Sequence, residues 1–260
     1  MLTSREITKK WEALADTKSG LPAARCFLLA VLAGLFIGLG AMGATVIQSL
    51  AQAGLGKLLG ASVFPTGLML VVLAGGELFT GNCLMAGPAL MGKVRWKGVL
   101  RNWGIAYLGN MLGAFLVAVI ATAGGVLQSH GQATADLALT IAANKSNLSF
   151  LDALLKGIGC NILVCGAVFM ATGAQSGGSK AVCCFFPIML FVLCGLEHSI
   201  ANMYYVPAGL LMQLMPRYGI AAPQVTVSAY LLQNLVPVTL GNILGGAGLA
   251  AAYAGIHREK

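Results

Sequence analysis

Charge is what this sequence is short of. Asp, Glu, Lys and Arg make up 9% of its 260 residues, against roughly a quarter in an ordinary soluble domain. Hydrophobic residues make up 58% and mean hydropathy is +0.83, so lipid is the expected surroundings. Histidine is scarce as well: His130, His198 and His257 are widely separated. With no Ser/His/Asp cluster and no grouping of metal ligands, a membrane enzyme has no support, and neither a metal nor a cofactor is expected. The cysteines (Cys26, Cys83, Cys160, Cys165, Cys183, Cys184, Cys194) form no CxxC pair and fall within or beside apolar segments, so they read as free, small apolar residues. No apolar h-region occurs in the first 20 residues, which excludes a cleavable signal peptide as the expectation. No Asn-Pro-Ala occurs either, which disfavours a neutral-solute channel of the water or glycerol type.

What the sequence has in abundance is long apolar runs, over about 26–54, 58–92, 102–128, 150–174, 181–216 and 223–256. Since a span needs roughly 20 apolar residues to cross about 30 Å of hydrocarbon, the expectation is an all-α membrane protein with six transmembrane helices. The net charge of +8 does not form a nucleic-acid patch, because the sixteen basic residues sort by loop instead. Arg5, Lys9, Lys10, Lys18, Arg25, Lys93, Arg95, Lys97, Arg101, Lys180, Arg258 and Lys260 fall on one side, and Lys57, Lys145, Lys156 and Arg217 on the other. The positive-inside rule then puts both termini in the cytoplasm. Residues 1–21 read as a cytoplasmic amphipathic segment, with Ile7, Trp11 and Leu14 on one face; 22–256 read as the channel domain and 257–260 as a cytoplasmic tail.

Two of the apolar runs carry helix breakers, at Gly75-Gly76-Glu77-Leu78-Phe79-Thr80-Gly81-Asn82 and at Gly195-Leu196-Glu197-His198-Ser199 to Asn202. Non-helical backbone at membrane depth is tolerated only where it is buried or lines a cavity. The interruptions match, since Glu77 and Asn82 recur 120 positions later as Glu197 and Asn202. Asn102-Trp103 to Leu108-Gly109-Asn110-Met111-Leu112-Gly113 resembles Asn234-Leu235 to Leu240-Gly241-Asn242-Ile243-Leu244-Gly245, 132 positions on. The expected architecture is two halves of three spans, an inverted 3+3 repeat with two broken helices meeting near the midplane. Gly34-xxx-Gly38, Gly109-xxx-Gly113 and Gly241-xxx-Gly245 would let helices approach closely, within or between subunits.

His198, deep in an apolar stretch, is a functional candidate because ionisable groups are costly inside a membrane; core packing is the alternative. Glu77 and Glu197 would repel an anion and read as acceptors for backbone amides freed at the breaks. Lys145, in a loop whose only acid is Asp136, would raise the local anion concentration, or else is a solvated surface lysine. Phe64, Leu68, Leu78, Phe79 and Phe191 are candidates for apolar constrictions. Gly38-Leu39-Gly40-Ala41-Met42-Gly43 fits GxGxxG but lacks any βαβ context, and the glycosylation patterns at Asn144 and Asn147 are of a kind common by chance.

Gly76 to Asn82, Asn102 to Gly113, Gly157 to Cys165 and Leu196 to Met203 together resemble the formate/nitrite transporter family, which also includes hydrosulfide channels. The resemblance runs from about Pro22 to Tyr253 and implies an aquaporin-like fold, a homopentamer and one substrate pore per subunit. It implies pore and selectivity roles for Thr80, His198 and Lys145, constrictions at Phe64, Leu68, Leu78, Phe79 and Phe191, and supporting polar roles for Asn161, Glu197 and Asn202. The implied function is passage of a small monovalent anion, formate ahead of nitrite and hydrosulfide, through the inner membrane of a prokaryote, with lipid and other copies of the chain as partners. A bare anion loses heavily on entering an apolar pore. In one version Lys145 attracts the anion and a proton relayed through Thr80 and His198 converts a weak acid to its neutral form as it passes the constrictions; in the other, His198 near its reference pKa of about 6.5 is a fixed positive site. The implied role of the amino-terminal segment is a cytoplasmic gate, a surface anchor being the alternative.

Overall fold

Apolar helices dominate the computed structural model, which describes residues 1–220 and 225–257. Arg258, Lys260 and the rest of the tail beyond His257 lie outside the described residues, as do residues 221–224, which include the first two of the last apolar run. The helices are α1 (Ser4–Ser19), α2 (Ala23–Ser49), α3 (Ala53–Val63), α4 (Thr66–Ala74), α5 (Phe79–Asn82) and α6 (Ala86–Leu90). They continue with α7 (Trp96–Ala123), α8 (Gln132–Ser146), α9 (Phe150–Gly173), α10 (Gly177–Leu193), α11 (Ser199–Gln213) and α12 (Val227–Ile256). A π-helical turn, Tyr230–Leu235, sits inside α12. Among the described residues, five helices are long and apolar enough to cross a membrane: α2, the joined α3 and α4, α7, α9 and α12. The 17-residue α10 is apolar but shorter.

The side chains are arranged inside out relative to a soluble protein. Where α2 meets α7 the buried positions are small, Ala30, Ala33, Gly34 and Ala41 against Gly109, Gly113, Ala114 and Ala118. Leu28, Leu32, Leu108, Leu112, Phe115 and Ile120 stay exposed. In lipid no hydrophobic force drives large side chains inward, so packing favours residues that let backbones touch. A Cβ added to Gly113 would collide with the Val31 carbonyl, and one added to Gly245 with the Ile158 carbonyl. The small-residue motifs therefore join α2 to α7 and α9 to α12 within the chain.

Helix α1 starts at a capping box. The Thr3 hydroxyl accepts from the Glu6 N–H at 3.4 Å, and the Thr3 N–H donates to the Glu6 carboxylate at 2.8 Å. The bond from the Thr3 N–H, and after it one from the Thr3 hydroxyl to the same carboxylate at 2.8 Å, hold the exposed Glu6 carboxyl below its ordinary range. One face of α1 is buried, through Ile7, Thr8, Trp11 and Ala15, against α7, α9 and α12. Two further bonds anchor it, from Leu2 N–H to the Gly173 carbonyl (3.0 Å) and from Lys10 Nζ to the Thr172 carbonyl (3.0 Å).

Gly248, on α12 one turn from Gly245, has no neighbour within 4 Å of an added Cβ. Gly245→Val is expected to destabilise the protein by about 1–3 kcal/mol through overpacking, and Gly248→Ala to leave it nearly unchanged. Thermal unfolding in detergent checks this; equal midpoints would mean that α9 and α12 have room to spare.

Candidate functional site

Two short interruptions create the site. Helix α4 ends at Gly75, whose φ of 92° suits glycine, and α5 resumes at Phe79; α10 ends near Gly195, with φ of 67°, and α11 resumes at Ser199. Each resuming helix exposes an amide that lipid cannot satisfy. Asn110 Oδ1 accepts the Phe79 N–H at 2.9 Å, and Asn242 Oδ1 accepts the Ser199 N–H at 2.9 Å. The amide of Asn110 donates to the Ala30 and Glu77 carbonyls (2.7 and 2.9 Å), and that of Asn242 to the Gly157 and Glu197 carbonyls (2.8 and 3.0 Å). The bonds repeat partner for partner.

The carboxylates repeat too, in a role other than the one expected. Glu77 accepts from Lys18 Nζ (2.6 Å), Asn82 Nδ2 (2.7 Å) and Asn102 Nδ2 (3.1 Å). Glu197 accepts from Lys145 Nζ (2.9 and 3.0 Å), Asn202 Nδ2 (2.7 Å) and Asn234 Nδ2 (3.2 Å). Asparagine side chains, not these carboxylates, satisfy the freed backbone amides; the carboxylates bind lysines. Each lysine also fixes its network through its own carbonyl, which accepts from Asn102 in one case (3.2 Å) and Asn234 in the other (3.0 Å). The pairs are largely buried, with side-chain exposures of 19% and 6% for Lys18 and Glu77, and 15% and 7% for Lys145 and Glu197.

Lys145 accordingly differs from its sequence reading. It lies in the last turn of helix α8 rather than in a loop, its ammonium is paired with Glu197, and it sits 5.3 Å from the centre of the Tyr205 ring. Lys18 was not singled out as a site residue, because α1 lies outside the repeated segments. Asn110 and Asn242 do stand in the matched segments, which was the available signal.

Thr80 and His198, 118 residues apart in sequence, meet at 2.8 Å from Oγ1 to Nε2, both fully buried. His198 is the N-cap of α11, and its Nδ1 accepts the Ala201 N–H at 3.2 Å. An accepting Nδ1 carries no proton, so the neutral ring holds its proton on Nε2 and donates it to Thr80. Asn161 Nδ2 donates to the Thr80 carbonyl (3.1 Å), and so does Cys165 Sγ (3.2 Å), a partner that the sequence analysis did not pick out. The Phe191 ring lies 5.8 Å from the His198 ring and 5.5 Å from the Phe64 ring.

Two cavities flank these residues. One, of about 330 Å³, is lined by Phe64, Phe191, His198, Lys57, Lys145 and Lys156, among others. The other, of about 190 Å³, lies beneath α1 and is lined by Trp11, Leu14, Lys18, Leu68, Leu78 and Asn82, among others. Phe79 lines neither; its ring meets Tyr107 edge-on at 5.0 Å and Trp103 at 6.2 Å.

An apolar exterior, membrane-length helices and two cavities on opposite sides of a buried Thr–His pair define an integral membrane protein of the transport class. The formate/nitrite transporter family profile matches residues 5–255. A probable formate transporter of Methanothermobacter thermautotrophicus is 37% identical over 93% of this chain and 92% of that relative. Among solved structures, a pentameric formate channel with formate bound superposes with a TM-score of 0.81 at 35% identity, covering 90% of this chain and 96% of that one. An FNT family ion channel superposes with a TM-score of 0.87 at 25% identity, over 98% and 99%. The chain belongs to the formate/nitrite transporter family.

Removing one partner of a buried pair strands the other charge and costs about 3–5 kcal/mol, whereas removing both costs far less. Lys145→Met is therefore expected to destabilise the protein strongly, and adding Glu197→Gln to restore most of the loss. Thermal unfolding of both variants checks this; additive losses would mean that the two side chains are not coupled.

Proposed function

We propose that the protein passes a small monovalent weak acid, formate foremost, across the inner membrane, one pore per subunit of a homopentamer. The observation that carries this is the Thr80–His198 bond, buried between two cavities and bordered by apolar side chains. Six crossings in an inverted 3+3 repeat form the pore, with both termini cytoplasmic. The interrupted helices α4–α5 and α10–α11 belong to opposite halves. The partner-for-partner repetition of the two asparagine and lysine networks supports this architecture, since an odd number of spans per half inverts the second half. The pentameric, formate-bound neighbour supports the assembly and the substrate.

Phe64 and Phe191 form the outer constriction, and Leu68, Leu78 and Phe79 the inner one. Both lysines nearest the centre are neutralised by glutamates, so the centre offers no fixed positive charge to offset dehydration of a bare anion. The geometry of His198 favours the proton-coupled version over the fixed-charge one. A proton added to Nδ1 would face the Ala201 N–H donor and break the cap of α11. The substrate takes up one proton on the entry side, crosses as the neutral acid hydrogen-bonded by Thr80 and His198, and releases the proton on the exit side. Asn161 holds Thr80 in place through its carbonyl, while Asn202 and Glu197 brace the turn that carries His198. Helix α1, tied to Glu77 through Lys18 and covering the inner cavity with Trp11 and Leu14, is placed to gate the cytoplasmic mouth.

Flux of formate, nitrite, hydrosulfide and chloride into proteoliposomes, with glycerol as the neutral control, tests the reading. Wild-type formate flux is expected to rise as pH falls from about 8 to 5, because the neutral fraction of the substrate grows. His198→Phe leaves Thr80 and the Ala201 amide without their partner, at about 1–3 kcal/mol, so flux drops roughly ten- to a hundredfold. Glycerol flux without anion flux, or equal flux and selectivity at both pH values in both proteins, would overturn the proposal.

A further inference from the structure

Helix α8 is built as a second copy of α1. Lys18-Ser19-Gly20-Leu21 leads out of α1 and Lys145-Ser146-Asn147-Leu148 leads out of α8, 127 positions later. At that offset the buried residues of α1, Ile7, Thr8, Trp11 and Ala15, fall on Thr134, Ala135, Ala138 and Ala142, which are buried on α8. Three residues then lead to the next long helix in each case, to α2 at Ala23 and to α9 at Phe150. Helix α1 packs on α9 of the other half, and α8 packs on α2 of the other half. The repeat therefore has four elements in each half, a short helix ahead of the three spans.

The two helices also meet the path in the same way. Leu14 and Lys18 line the cavity of about 190 Å³, and the residues at the same offset, Ile141 and Lys145, line the one of about 330 Å³. Each lysine closes a latch beside a residue of the path: Lys18 pairs with Glu77, next to Leu78, and Lys145 with Glu197, next to His198. Leu78 and His198 stand at equivalent places in the two interruptions.

The start of α8 is fixed and its end is held by polar contacts. The Thr134 and Ser49 hydroxyls are hydrogen-bonded at 2.7 Å. In the last turn, the Lys145 ammonium meets Glu197 at 2.9 Å and the Lys145 carbonyl accepts from Asn234 at 3.0 Å. Ser146, beside this latch, is 1% exposed, and its hydroxyl has no hydrogen-bond partner. A stranded buried hydroxyl disfavours the closed turn and regains water when the turn opens.

We propose that the last turn of α8, latched by Lys145 and Glu197, is a gate over the outer cavity, the counterpart of α1 over the inner one. This rests on the transport reading and on the gating role of α1 given above. Release of the latch frees the mouth and, through Glu197, loosens the turn that carries His198, so that opening of the mouth and placement of the histidine are linked.

The test uses Ser146→Cys as a reporter, a near-isosteric change at a hydroxyl that makes no bond, in a Cys183→Ser/Cys194→Ser background whose five remaining thiols, Cys26, Cys83, Cys160, Cys165 and Cys184, are buried. A membrane-impermeant methanethiosulfonate is applied from the outer side of right-side-out vesicles. The reporter is expected to react slowly, and about tenfold faster once Lys145→Met/Glu197→Gln removes the latch, a change that takes away one charge of each sign and strands neither. Formate uptake by vesicles whose reporter is fully labelled is expected to change severalfold, because the labelled turn cannot reseat. A labelling rate that is the same with and without the latch, or labelling of the five buried thiols at the reporter's rate, overturns the gate while formate flux stands. Unchanged uptake after labelling also overturns it, since the turn would then move without governing the mouth. A wild type that passes none of formate, nitrite, hydrosulfide and chloride overturns the transport reading and the gate with it.

Discussion

A peptide N–H with no partner inside a membrane has no water to turn to, and the centre of this molecule is organised around that fact. Helices stop before Phe79 and Ser199, and the amides stranded there are taken by Asn110 and Asn242. Each asparagine then spends its own N–H groups on two carbonyls, one in the neighbouring long helix and one in the interruption. Reaching all three partners requires backbones in contact, which the glycines one turn away, Gly113 and Gly245, allow. Without that close packing the interruptions could not exist, and without the interruptions Thr80 and His198 would not face each other.

The charges follow the same logic of full satisfaction. A carboxylate at this depth needs a cation and further donors, and both Glu77 and Glu197 have one lysine and two asparagine amides. The lysines come from α1 and α8, elements that lie outside the long apolar helices. Peripheral helices are thus tied to the interior by ion pairs, with Lys145 and Glu197 lining one cavity and Lys18 the other. His198 fits this arrangement, since capping its own helix with Nδ1 directs its single proton at Thr80.

How much of this is legible in the order of residues differs from element to element. Helices α9 and α12 fall inside the apolar runs, and α2 and α7 begin only three and six residues ahead of theirs, because hydrocarbon thickness sets their length and composition. The interruptions were visible through Gly75 and Gly195, and the matching of Glu77 with Glu197 and Asn82 with Asn202 rests on spacing that survives in a single sequence. Helix α8 was not visible, because a short helix of mixed polarity between two long apolar runs has the composition of a loop. Cys165 was unremarkable for a similar reason: a thiol in an apolar helix gives no hint of the carbonyl it faces.

The sequence by itself determined the class of the protein, the extent of its apolar helices, the two places where they break and the residue types gathered at the breaks, because these follow from hydropathy, glycine and local spacing. Only the tertiary structure decided which partner each polar group takes. Lys18 and Glu77 are 59 residues apart, Lys145 and Glu197 are 52 apart, and Thr80 and His198 are 118 apart. No local rule links such positions. Whether a lysine is neutralised, as Lys145 is, depends on where a carboxylate from another helix comes to rest.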